Sequence, residues 1–270
     1  MPLAICATPI GNLDDVTLRV LAELREADVV LAGDTRHTRG LLARHGIEAR
    51  LLSYHEHNEA ARVAELLPRL AGGERVALVS DAGMPTVSDP GARLVLAALD
   101  AGIEVTVLPG PSAVETALVR GGFGGGPFAF VGFLPRRPAA LSALWATTSA
   151  WGMPVVAFES PQRLPATLRS LAAFDPEREV AVCRELTKRF ESVVRGRASR
   201  VAAGLVEPPK GEITLVVGAP GSAPVATARL DAARRAMADL VAAGAPRRAA
   251  ADVVARLTDM SRNDLYRGSL

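Results

Sequence analysis

One stretch of the sequence, from Arg75 to Pro90, constrains the fold more than any other. The apolar run 76–79 has the composition of a β-strand, and it breaks abruptly into the turn-forming sequence Ser-Asp-Ala-Gly-Met-Pro. A helical pattern of apolar residues over 94–99 and a second strand-like run over 103–108 follow. The order of strand, loop, helix and strand predicts an open α/β sheet.

The loop at the end of this first strand is a candidate binding site. Ligands of open α/β sheets collect beyond the carboxyl ends of the strands. This loop offers backbone groups, the carboxylate of Asp81 and the flexible Gly83. An ordinary polar turn uses the same residue types, so the sequence favours a binding loop and leaves the plain turn open.

The same pattern recurs along the chain. In the first half, strand-like runs end in the polar clusters 8–12, 33–37, 55–59 and 108–113. Residue Ser112 is a candidate N-cap in the last of these clusters, and a helix is predicted from about Asp15 to Glu26 after the first.

The second half repeats the alternation, with polar clusters at 134–137, 159–163 and 184–189. The segments 190–195 and 212–218 flank only a short helix, so antiparallel strands are predicted there. The glycine-rich segment 122–126 follows a helix instead of a strand, which indicates an interdomain hinge and not a phosphate-binding loop. We therefore predict two tandem α/β domains, 1–121 and 122–220.

Composition sets the outer limits of function. The chain has 270 residues, 49% of them hydrophobic, and a net charge of only +2, which does not by itself indicate a nucleic-acid binder. No apolar run approaches the roughly 20 residues of a membrane-spanning helix, and no basic segment precedes the apolar N-terminus. We expect a cytoplasmic protein without a membrane partner. Cys6 and Cys183 lie in strand-like runs and are expected to be buried and unpaired.

The four histidines all lie between residues 37 and 57. His55 and His57 alternate in an extended segment and could face one metal ion. No matching third ligand pattern exists in the sequence, so polar contacts are favoured and no metal is predicted.

The C-terminal segment differs in character from the rest. Residues 219–227 have the composition of a linker, and 228–270 are predicted to form a helical module with Ser261 and Asp264 at the start of its last helix. The module carries eight arginines and five aspartates, a net charge of +3. An RNA-facing module, with Arg247 and Arg248 as candidate contacts, and a dimerisation bundle are equally open.

Lysine is almost absent. Of the 31 basic residues only Lys188 and Lys210 are lysines, and the others are arginines. A retained lysine can mark a position that needs a compact ammonium, which a guanidinium cannot replace. Lys188 lies three residues after Glu185, and a surface ion pair is the alternative to a functional pair.

Taken together, the motifs resemble those of the ribosomal RNA small subunit methyltransferase I family. Eight motifs occur in register over nearly the whole chain: Thr-Pro-Ile-Gly-Asn-Leu (8–13), Asp-Thr-Arg-His (34–37), His-Glu-His-Asn-Glu (55–59), Ser-Asp-Ala-Gly-x-Pro (80–85), Leu-Pro-Gly-Pro (108–111), Gly-Phe-Leu-Pro (132–135), Arg-Glu-Leu-Thr-Lys (184–188) and Lys-Gly-Glu (210–212).

The resemblance implies the tetrapyrrole-methylase fold, with S-adenosylmethionine in a cleft between two α/β domains of a homodimer. It also implies 2′-O-methylation of the ribose of a decoding-centre cytidine, cytidine 1402, in small-subunit ribosomal RNA, within the 30S particle. The cofactor-binding residues that it implies are Pro9, Ile10, Gly11, Ser80, Asp81, Ala82, Gly83, Met84, Pro109, Gly110, Ser112, Ala113, Glu159, Ser160, Leu186, Gly211 and Thr214.

A ribose hydroxyl is a weak acid, so its methylation benefits from a base or from a cation that stabilises the developing alkoxide. Lys188 with Glu185 is the first candidate pair, and Asp34 with Arg36 is the second. The arginines proposed as phosphate contacts in the second domain are Arg136, Arg137 and Arg163.

Three positions depart from the family pattern. Gly33 stands where an acidic residue is usual, Met84 where threonine is usual, and Gln162 where histidine is usual. The first two remove side-chain hydrogen bonds to the cofactor, and Gln162 cannot act as a general base. A tetrapyrrole methylase of the same fold and a non-catalytic RNA-binding protein remain as alternative functions.

Overall fold

The computed structural model describes residues 2–221, 225–258 and 260–266, which form two five-stranded sheets with their helices and then three more helices. The two predicted tandem α/β units are present. Among the helices of these ranges, none combines the length and the apolar composition of a bilayer-spanning segment.

The first sheet is entirely parallel and has the strand order β3-β2-β4-β1-β5. Its strands are β1 (Leu3–Cys6), β2 (Val29–Ala32), β3 (Leu51–Ser53), β4 (Val76–Val79) and β5 (Val105–Leu108). Its helices are α1 (Leu18–Glu26), α2 (Thr35–Arg44), α3 (Glu59–Ala71), α4 (Ala92–Asp100) and α5 (Ala113–Arg120).

Both faces of this sheet are buried. Ala4 and Cys6 of β1 belong to one core cluster, and Leu3 and Ile5 belong to another on the opposite face. Successive side chains of a strand point to opposite faces, so a strand covered on both sides must be apolar throughout. This requirement explains the continuous apolar runs by which the strands were predicted.

The second sheet is mixed and has the order β6-β7-β10-β8-β9. Only the pair β6 and β7 is parallel, and the predicted antiparallel pairing of the last strands is confirmed. Its strands are β6 (Ala129–Phe133), β7 (Val155–Glu159), β8 (Glu179–Arg184), β9 (Ser192–Arg197) and β10 (Ile213–Val217). The helices α6 (Pro138–Ser149), α7 (Leu164–Phe174) and α8 (Ala198–Gly204) cover one face.

Helix α5 covers the other face of the second sheet. Its buried residues Val114, Ala117 and Leu118 pack in one cluster with residues of β7, β8 and β10. Phe123 is buried in the same cluster and fixes the segment 122–126 on the second sheet. These contacts argue against a freely moving hinge in the glycine-rich segment.

One predicted helix start was wrong, and Ser112, which does occupy the predicted N-cap position of α5, lacks a capping hydrogen bond. Residues Leu13–Asp15 form a single 3-10 turn, and α1 begins only at Leu18, where Thr17 Oγ1 accepts a hydrogen bond from Val20 N at 3.2 Å. At α5, Ser112 makes no side-chain capping bond, because its hydroxyl donates to the carboxylate of Glu115.

The C-terminal module consists of α9 (Val225–Ala242), α10 (Arg247–Thr258) and α11 (Arg262–Tyr266). Its buried residues form a core cluster of their own, separate from the cores of the two sheets. The predicted linker was too long, because α9 already begins at Val225; residues 222–224 lie outside the described residues. The cap of α11 is confirmed, since Asp264 N donates to Ser261 Oγ at 3.2 Å.

Both cysteines are buried and unbridged, as predicted. Burial raises the pKa of the Cys6 thiol to about 12 and that of Cys183 to about 11. A thiol that stays protonated is a poor nucleophile, so both cysteines are packing residues.

Candidate active site

The carboxyl ends of the five parallel strands bring the predicted polar clusters to one edge of the first sheet. The segments that follow β1 and β4 are directly paired there. Thr8 N donates to Gly83 O at 2.8 Å, and Gly83 N donates to Thr8 O at 3.0 Å. This isolated bridge joins two of the loops that were predicted to bind the cofactor.

The loop from Ser80 to Met84 is fixed by one hydrogen bond within it and by another from Thr8. Ser80 Oγ donates to Gly83 O at 2.9 Å, and Thr8 Oγ1 donates to Ser80 O at 3.0 Å. Gly83 has a φ of +77°, in the left-handed region that favours glycine. The backbone N–H groups of Asp81 and Ala82 donate to no other described residue, so they are available to a ligand.

The loops after β1 and β5 approach each other closely. A methyl group on Gly110 would lie 2.9 Å from Ala7 Cβ, so glycine is required for this approach. The predicted cofactor residues Pro109, Ser112 and Ala113 therefore lie beside the segment that carries Pro9, Ile10 and Gly11.

A turn of the second domain completes the site. Glu185 and Thr187 both have left-handed backbone angles, with φ of 53° and 65°. Residues other than glycine rarely adopt this conformation, and it is concentrated at functional sites. Thr187 Oγ1 accepts a hydrogen bond from Asn12 N at 3.1 Å, so the turn contacts the first domain. The side chain of Leu186 is buried against Ile10 and α5.

Lys188 lies at the centre of this junction. Its Nζ is 3.0 Å from Glu185 Oε1 and 2.6 Å from Glu212 Oε2. Burial works to lower the pKa of Lys188, but the hydrogen bonds with Glu212 and Glu185 outweigh it and raise the pKa. The ammonium therefore keeps its proton at neutral pH and acts as a cation, not as a base.

Glu185 is fixed from a second direction. Its Oε1 accepts a hydrogen bond from Glu212 N at 2.9 Å, and this bond, together with Lys188, lowers the pKa of Glu185. A methyl group on Gly211 would lie 2.5 Å from Glu185 Cγ, and Gly211 has a φ of +97°. Gly211 and Glu212 of the Lys-Gly-Glu motif thus fix the carboxylate of Glu185, which in turn binds Lys188.

The second predicted pair, Asp34 and Arg36, also forms. Arg36 Nη2 lies 3.0 Å from Asp34 Oδ2, and Asp34 Oδ1 accepts from Arg36 N at 2.8 Å as the N-cap of α2. These bonds from Arg36 lower the pKa of Asp34 to about 2. Asp34 is therefore a weak base; it is half-buried, whereas Arg36 is exposed.

Two predicted residues of the second domain, Glu159 and Thr214, have buried side chains. Both carboxylate oxygens of Glu159 are occupied, by Ser160 N at 2.7 Å and by Thr167 Oγ1 at 2.5 Å. Thr214 is buried in the middle of β10. The bonds of Glu159 leave it no unoccupied side-chain oxygen for a ligand.

The predicted arginine contacts differ in their availability. Arg163 Nη2 donates to Pro135 O at 2.6 Å, and its Nη1 lies 3.3 Å from Glu159 Oε1, so its guanidinium stabilises the second domain. Arg136, Arg137 and Arg248 are exposed. Arg247, which is also exposed, and Arg248 stand at the N-terminus of α10, where the helix dipole disfavours cations.

Asp89 was missed by the sequence analysis. It lies in the same long loop between β4 and α4, in which Thr86 and Ser88 also have left-handed φ angles of 72° and 64°. Burial and then the charge of Asp81 raise the pKa of Asp89 to about 6. The available sequence signal is the Ser-Asp-Pro-Gly run at 88–91, in which an acidic residue stands between turn-forming residues close to the predicted binding loop.

The histidine pair makes polar contacts, as favoured. His55 Nε2 is 3.2 Å from Asn58 Nδ2, and the rings of His55 and His57 are 5.9 Å apart. Within the described ranges, no group of three or more histidine, cysteine, aspartate or glutamate residues is arranged to hold a metal ion.

Comparison with known proteins identifies the family. The sequence pattern of the tetrapyrrole (corrin/porphyrin) methylases matches residues 2–202. The ribosomal RNA small subunit methyltransferase I of Thermotoga maritima is 46% identical over 219 residues, which cover 80% of this chain and 97% of that protein. The chain belongs to the ribosomal RNA small subunit methyltransferase I family. Its relative from Micromonospora olivasterospora is 43% identical over 266 residues, which cover 98% of this chain and 85% of that protein.

Solved structures agree with the fold of this family. The uroporphyrin-III-C-methyltransferase of Thermus thermophilus superposes with a TM-score of 0.55 at 26% identity, covering 80% of this chain and 93% of that one. A diphthine synthase superposes with a TM-score of 0.62 at 17% identity, and the match covers 80% of this chain and 89% of the synthase. At this identity the likeness shows the fold alone. The predicted tetrapyrrole-methylase fold is confirmed.

The three departures from the family pattern have different surroundings. A methyl group on Gly33 would lie 3.2 Å from Asp81 Oδ1, so the usual acidic residue would place a second negative charge beside Asp81. Met84 packs against an apolar cluster of the first domain. Gln162 is exposed in the turn before α7.

Proposed function

We propose that this methyltransferase transfers a methyl group from S-adenosylmethionine to the ribose 2′-hydroxyl of a decoding-centre cytidine in the 16S ribosomal RNA of the small subunit, in the cytoplasm. The names of the relatives support ribosomal RNA as the substrate class. The position of the methyl group on the ribose rests on the motif resemblance.

The observation that carries the proposal is the position of Lys188 at the junction of the two domains. Its ammonium lies between two carboxylates, and its aliphatic side-chain carbons lie against Gly11, which precedes Asn12 and its bond to Thr187. A protonated lysine held in this way can orient a ribose hydroxyl and stabilise negative charge on its oxygen.

The lowered pKa of Glu185 does not prevent it from taking the proton. A hydroxyl oxygen that accepts a methyl group becomes strongly acidic, so a weak carboxylate base suffices once the new bond has formed. We therefore assign proton acceptance to the Glu185–Lys188 pair, while Asp34 and Arg36 lie farther out and orient the RNA.

The residues of the cleft fit the proposed cofactor. S-adenosylmethionine supplies, when bound, a methyl group on a positively charged sulfur. Its nucleoside and amino-acid ends need backbone donors and acceptors at close approach, and the glycines at 11, 83 and 110 allow that approach. Contacts in the second domain come from the backbone near Leu186 and Gly211, since Ser160 N already donates to the side chain of Glu159.

RNA binding is proposed for exposed arginines on two parts of the molecule. Arg136 and Arg137 follow β6, and Arg247 and Arg248 open α10. The charge of Arg248 opposes the dipole of α10, so the dipole gives this arginine no stabilising role. Phosphate binding would give Arg248 a role, and this favours the RNA-facing interpretation of the C-terminal module.

We also propose that the enzyme is a homodimer. Helix α4 and the edge strand β5 expose several large apolar side chains, among them Leu96, Leu99 and Val107. Exposed apolar residues that lie close together indicate an interface. Light scattering of the full chain tests this part of the proposal.

A methyl-transfer assay with three substrates tests the function. Radiolabelled S-adenosylmethionine is offered with 30S particles that lack the modification, with free 16S ribosomal RNA, and with a tetrapyrrole precursor. We expect transfer to RNA only. A 2′-O-methyl group protects the adjacent phosphodiester from alkaline cleavage, so hydrolysis of the labelled RNA locates the methyl group.

Labelling of the tetrapyrrole alone would replace the proposal by a tetrapyrrole methylase. RNA binding without cofactor binding in calorimetry would indicate a non-catalytic protein. A methyl group that does not protect the RNA from alkali would place the modification on a base.

A further inference from the structure

A cavity of about 220 Å³ opens at the carboxyl ends of β2, β3 and β4. A water molecule takes about 30 Å³ of liquid, so the cavity has room for one six-membered heterocycle. The polar and backbone groups around it come from Gly33, Tyr54, His55, Ser80, Asp81 and Asp89.

The strand order places most of this cavity to one side of the proposed cofactor loops, which it meets at Ser80 and Asp81. In the order β3-β2-β4-β1-β5, the close-packed glycine loops follow β4, β1 and β5, whereas the cavity lies over β3, β2 and β4. Asp81, at the end of β4, borders both regions. The cavity therefore lies where an acceptor molecule would approach, beside Asp34 and Arg36.

Two groups at the cavity have unused hydrogen-bonding capacity. His55 Nδ1 is buried and has no partner among the described residues. Asp89 is partly buried, and no hydrogen bond joins its carboxyl group to another described residue. Polar groups removed from water without a partner are costly, so unpaired groups around a cavity indicate a ligand that pairs with them.

The charge of the cavity excludes some ligands. Two carboxyl groups, Asp81 and Asp89, face the space, and the raised pKa of Asp89 keeps part of its population protonated near pH 6. Such a site repels phosphate. It offers one hydrogen-bond donor and several acceptors to a neutral heterocycle.

We propose that this cavity holds the base of the target nucleotide and that Asp89, with Asp81, recognises the amino edge of cytosine. The inference rests on the proposed function and deepens it by naming the group that selects the base. Enzymes that do chemistry on a base commonly extrude it into a pocket and read its pairing edge, and an enzyme that selects one nucleotide for ribose methylation can read the base in the same way.

The chemistry of the edge favours cytosine over uracil. Cytosine presents an amino donor beside a ring-nitrogen acceptor, and a protonated carboxyl group satisfies both by accepting from the first and donating to the second. Uracil presents a carbonyl oxygen in place of the amino group. A protonated carboxyl group can exchange its donor and acceptor oxygens and pair with uracil as well, so the discrimination comes from carboxylate oxygens. The two amino N–H groups of cytosine can donate to Asp81 and Asp89 together, whereas the uracil oxygen would face both carboxylates without a donor.

The test compares two substrates and three variants. The substrates are 30S particles with cytidine or with uridine at the target position. The variants are Asp89→Ala, Asp89→Asn and, as a control, Asp100→Ala, which removes an exposed carboxylate at the far end of α4. The readouts are kcat/KM for methyl transfer, S-adenosylmethionine affinity by calorimetry, and the melting temperature.

We expect the wild-type enzyme to prefer cytidine by about 10²-fold, the scale of one bidentate base contact. Asp89→Ala should lose at least about tenfold on cytidine and part of the preference over uridine, with unchanged cofactor affinity. Asp89→Asn, whose amide oxygen can still accept from the amino group of cytosine, should retain more activity on cytidine. Asp100→Ala should behave as wild type.

An unchanged preference in active Asp89→Ala would overturn the inference. So would a fall in cofactor affinity with the preference intact, which would assign the cavity to the cofactor. Equal loss in Asp89→Ala and Asp89→Asn would mean that Asp89 takes up a proton instead of reading the base. A wild-type enzyme that labels neither RNA would instead overturn the proposed function and this inference with it.

Discussion

Gly11 lies so close to Lys188 that a methyl group on it would be 2.4 Å from Lys188 Cγ and 2.9 Å from Lys188 Cε. These two residues belong to different domains and are separated by most of the chain. The glycine is needed here for space, because its backbone conformation lies outside the left-handed region. The position of the lysine in the second domain is therefore set by a loop of the first.

Replacing Gly11 tests this relationship. Gly11→Ala should fold, because alanine accepts the backbone conformation, but the methyl group must displace Lys188 or Thr187. We expect methyl transfer to fall by about 10²-fold, since small displacements of oriented groups have effects of this size. Gly40→Ala is the matched control, because its methyl group meets nothing within 4 Å and should stabilise α2 by about 0.5–1 kcal/mol. Full activity of Gly11→Ala would show that Lys188 is not held for catalysis.

The two lysines provide a second comparison. Lys188→Ala should lower methyl transfer by roughly 10²-fold or more while cofactor affinity stays nearly unchanged. Lys210→Ala removes the same charge from an exposed position nearby and should leave the rate unchanged. If Lys188→Ala retains its activity and only its melting temperature falls, Lys188 and Glu185 form a structural ion pair.

The pKa of Asp89 predicts a pH-dependent stability difference. The folded-state pKa of about 6 is above the ordinary value of 3.8, so Asp89 favours the folded state most below about pH 4. That contribution is lost as the pH rises towards 6, because the unfolded chain ionises first.

Asp89→Asn removes this titration. The free energy of unfolding of the variant, measured by urea denaturation relative to wild type, should therefore rise by on the order of 1 kcal/mol between pH 4 and pH 7 after allowance for solvent screening. Asp100→Asn should show no such trend. A difference independent of pH would mean that Asp89 is solvated like a surface carboxylate.

The C-terminal module should be separable from the methyltransferase core. A chain that ends at Gly221 keeps both sheets and every proposed cofactor loop, and the core cluster of the module contains none of their residues. The match to the Thermotoga relative covers 97% of that protein but only 80% of this chain. The unmatched fifth of this chain is close in length to the segment that follows Gly221. The truncated chain should therefore fold and bind S-adenosylmethionine.

Its affinity for 30S particles distinguishes the two roles of the module. Each phosphate contact that is lost lowers the slope of log affinity against log salt by about 0.7 to 0.9. Weaker binding with a shallower slope would indicate that the module contacts RNA. Arg248→Ala in the full chain should then reproduce part of both changes. Monomers in light scattering with an unchanged slope would instead indicate a dimerisation bundle.

The sequence by itself determined the architecture. A parallel sheet that is buried on both faces requires strands that are apolar throughout, and these runs were visible in β1, β2 and β4. The alternation of strand, polar cluster and helix then placed the clusters at one edge of the sheet. The sequence did not determine the capping hydrogen bonds. Ser261 caps its helix as predicted, whereas the Ser112 hydroxyl donates to the Glu115 side chain.

Only the tertiary structure decided which of these groups work together. Sequence spacing suggested Glu185 with Lys188, but the second carboxylate, Glu212, comes from a distant strand start. Arg163 was predicted to contact phosphate, but its guanidinium donates to backbone carbonyl oxygens of its own domain. The sequence pattern did not single out Asp89, whose pKa is raised by burial and by the charge of the neighbouring Asp81. Burial, partners and local charge depend on distances between segments far apart in the chain, and a linear pattern does not contain those distances.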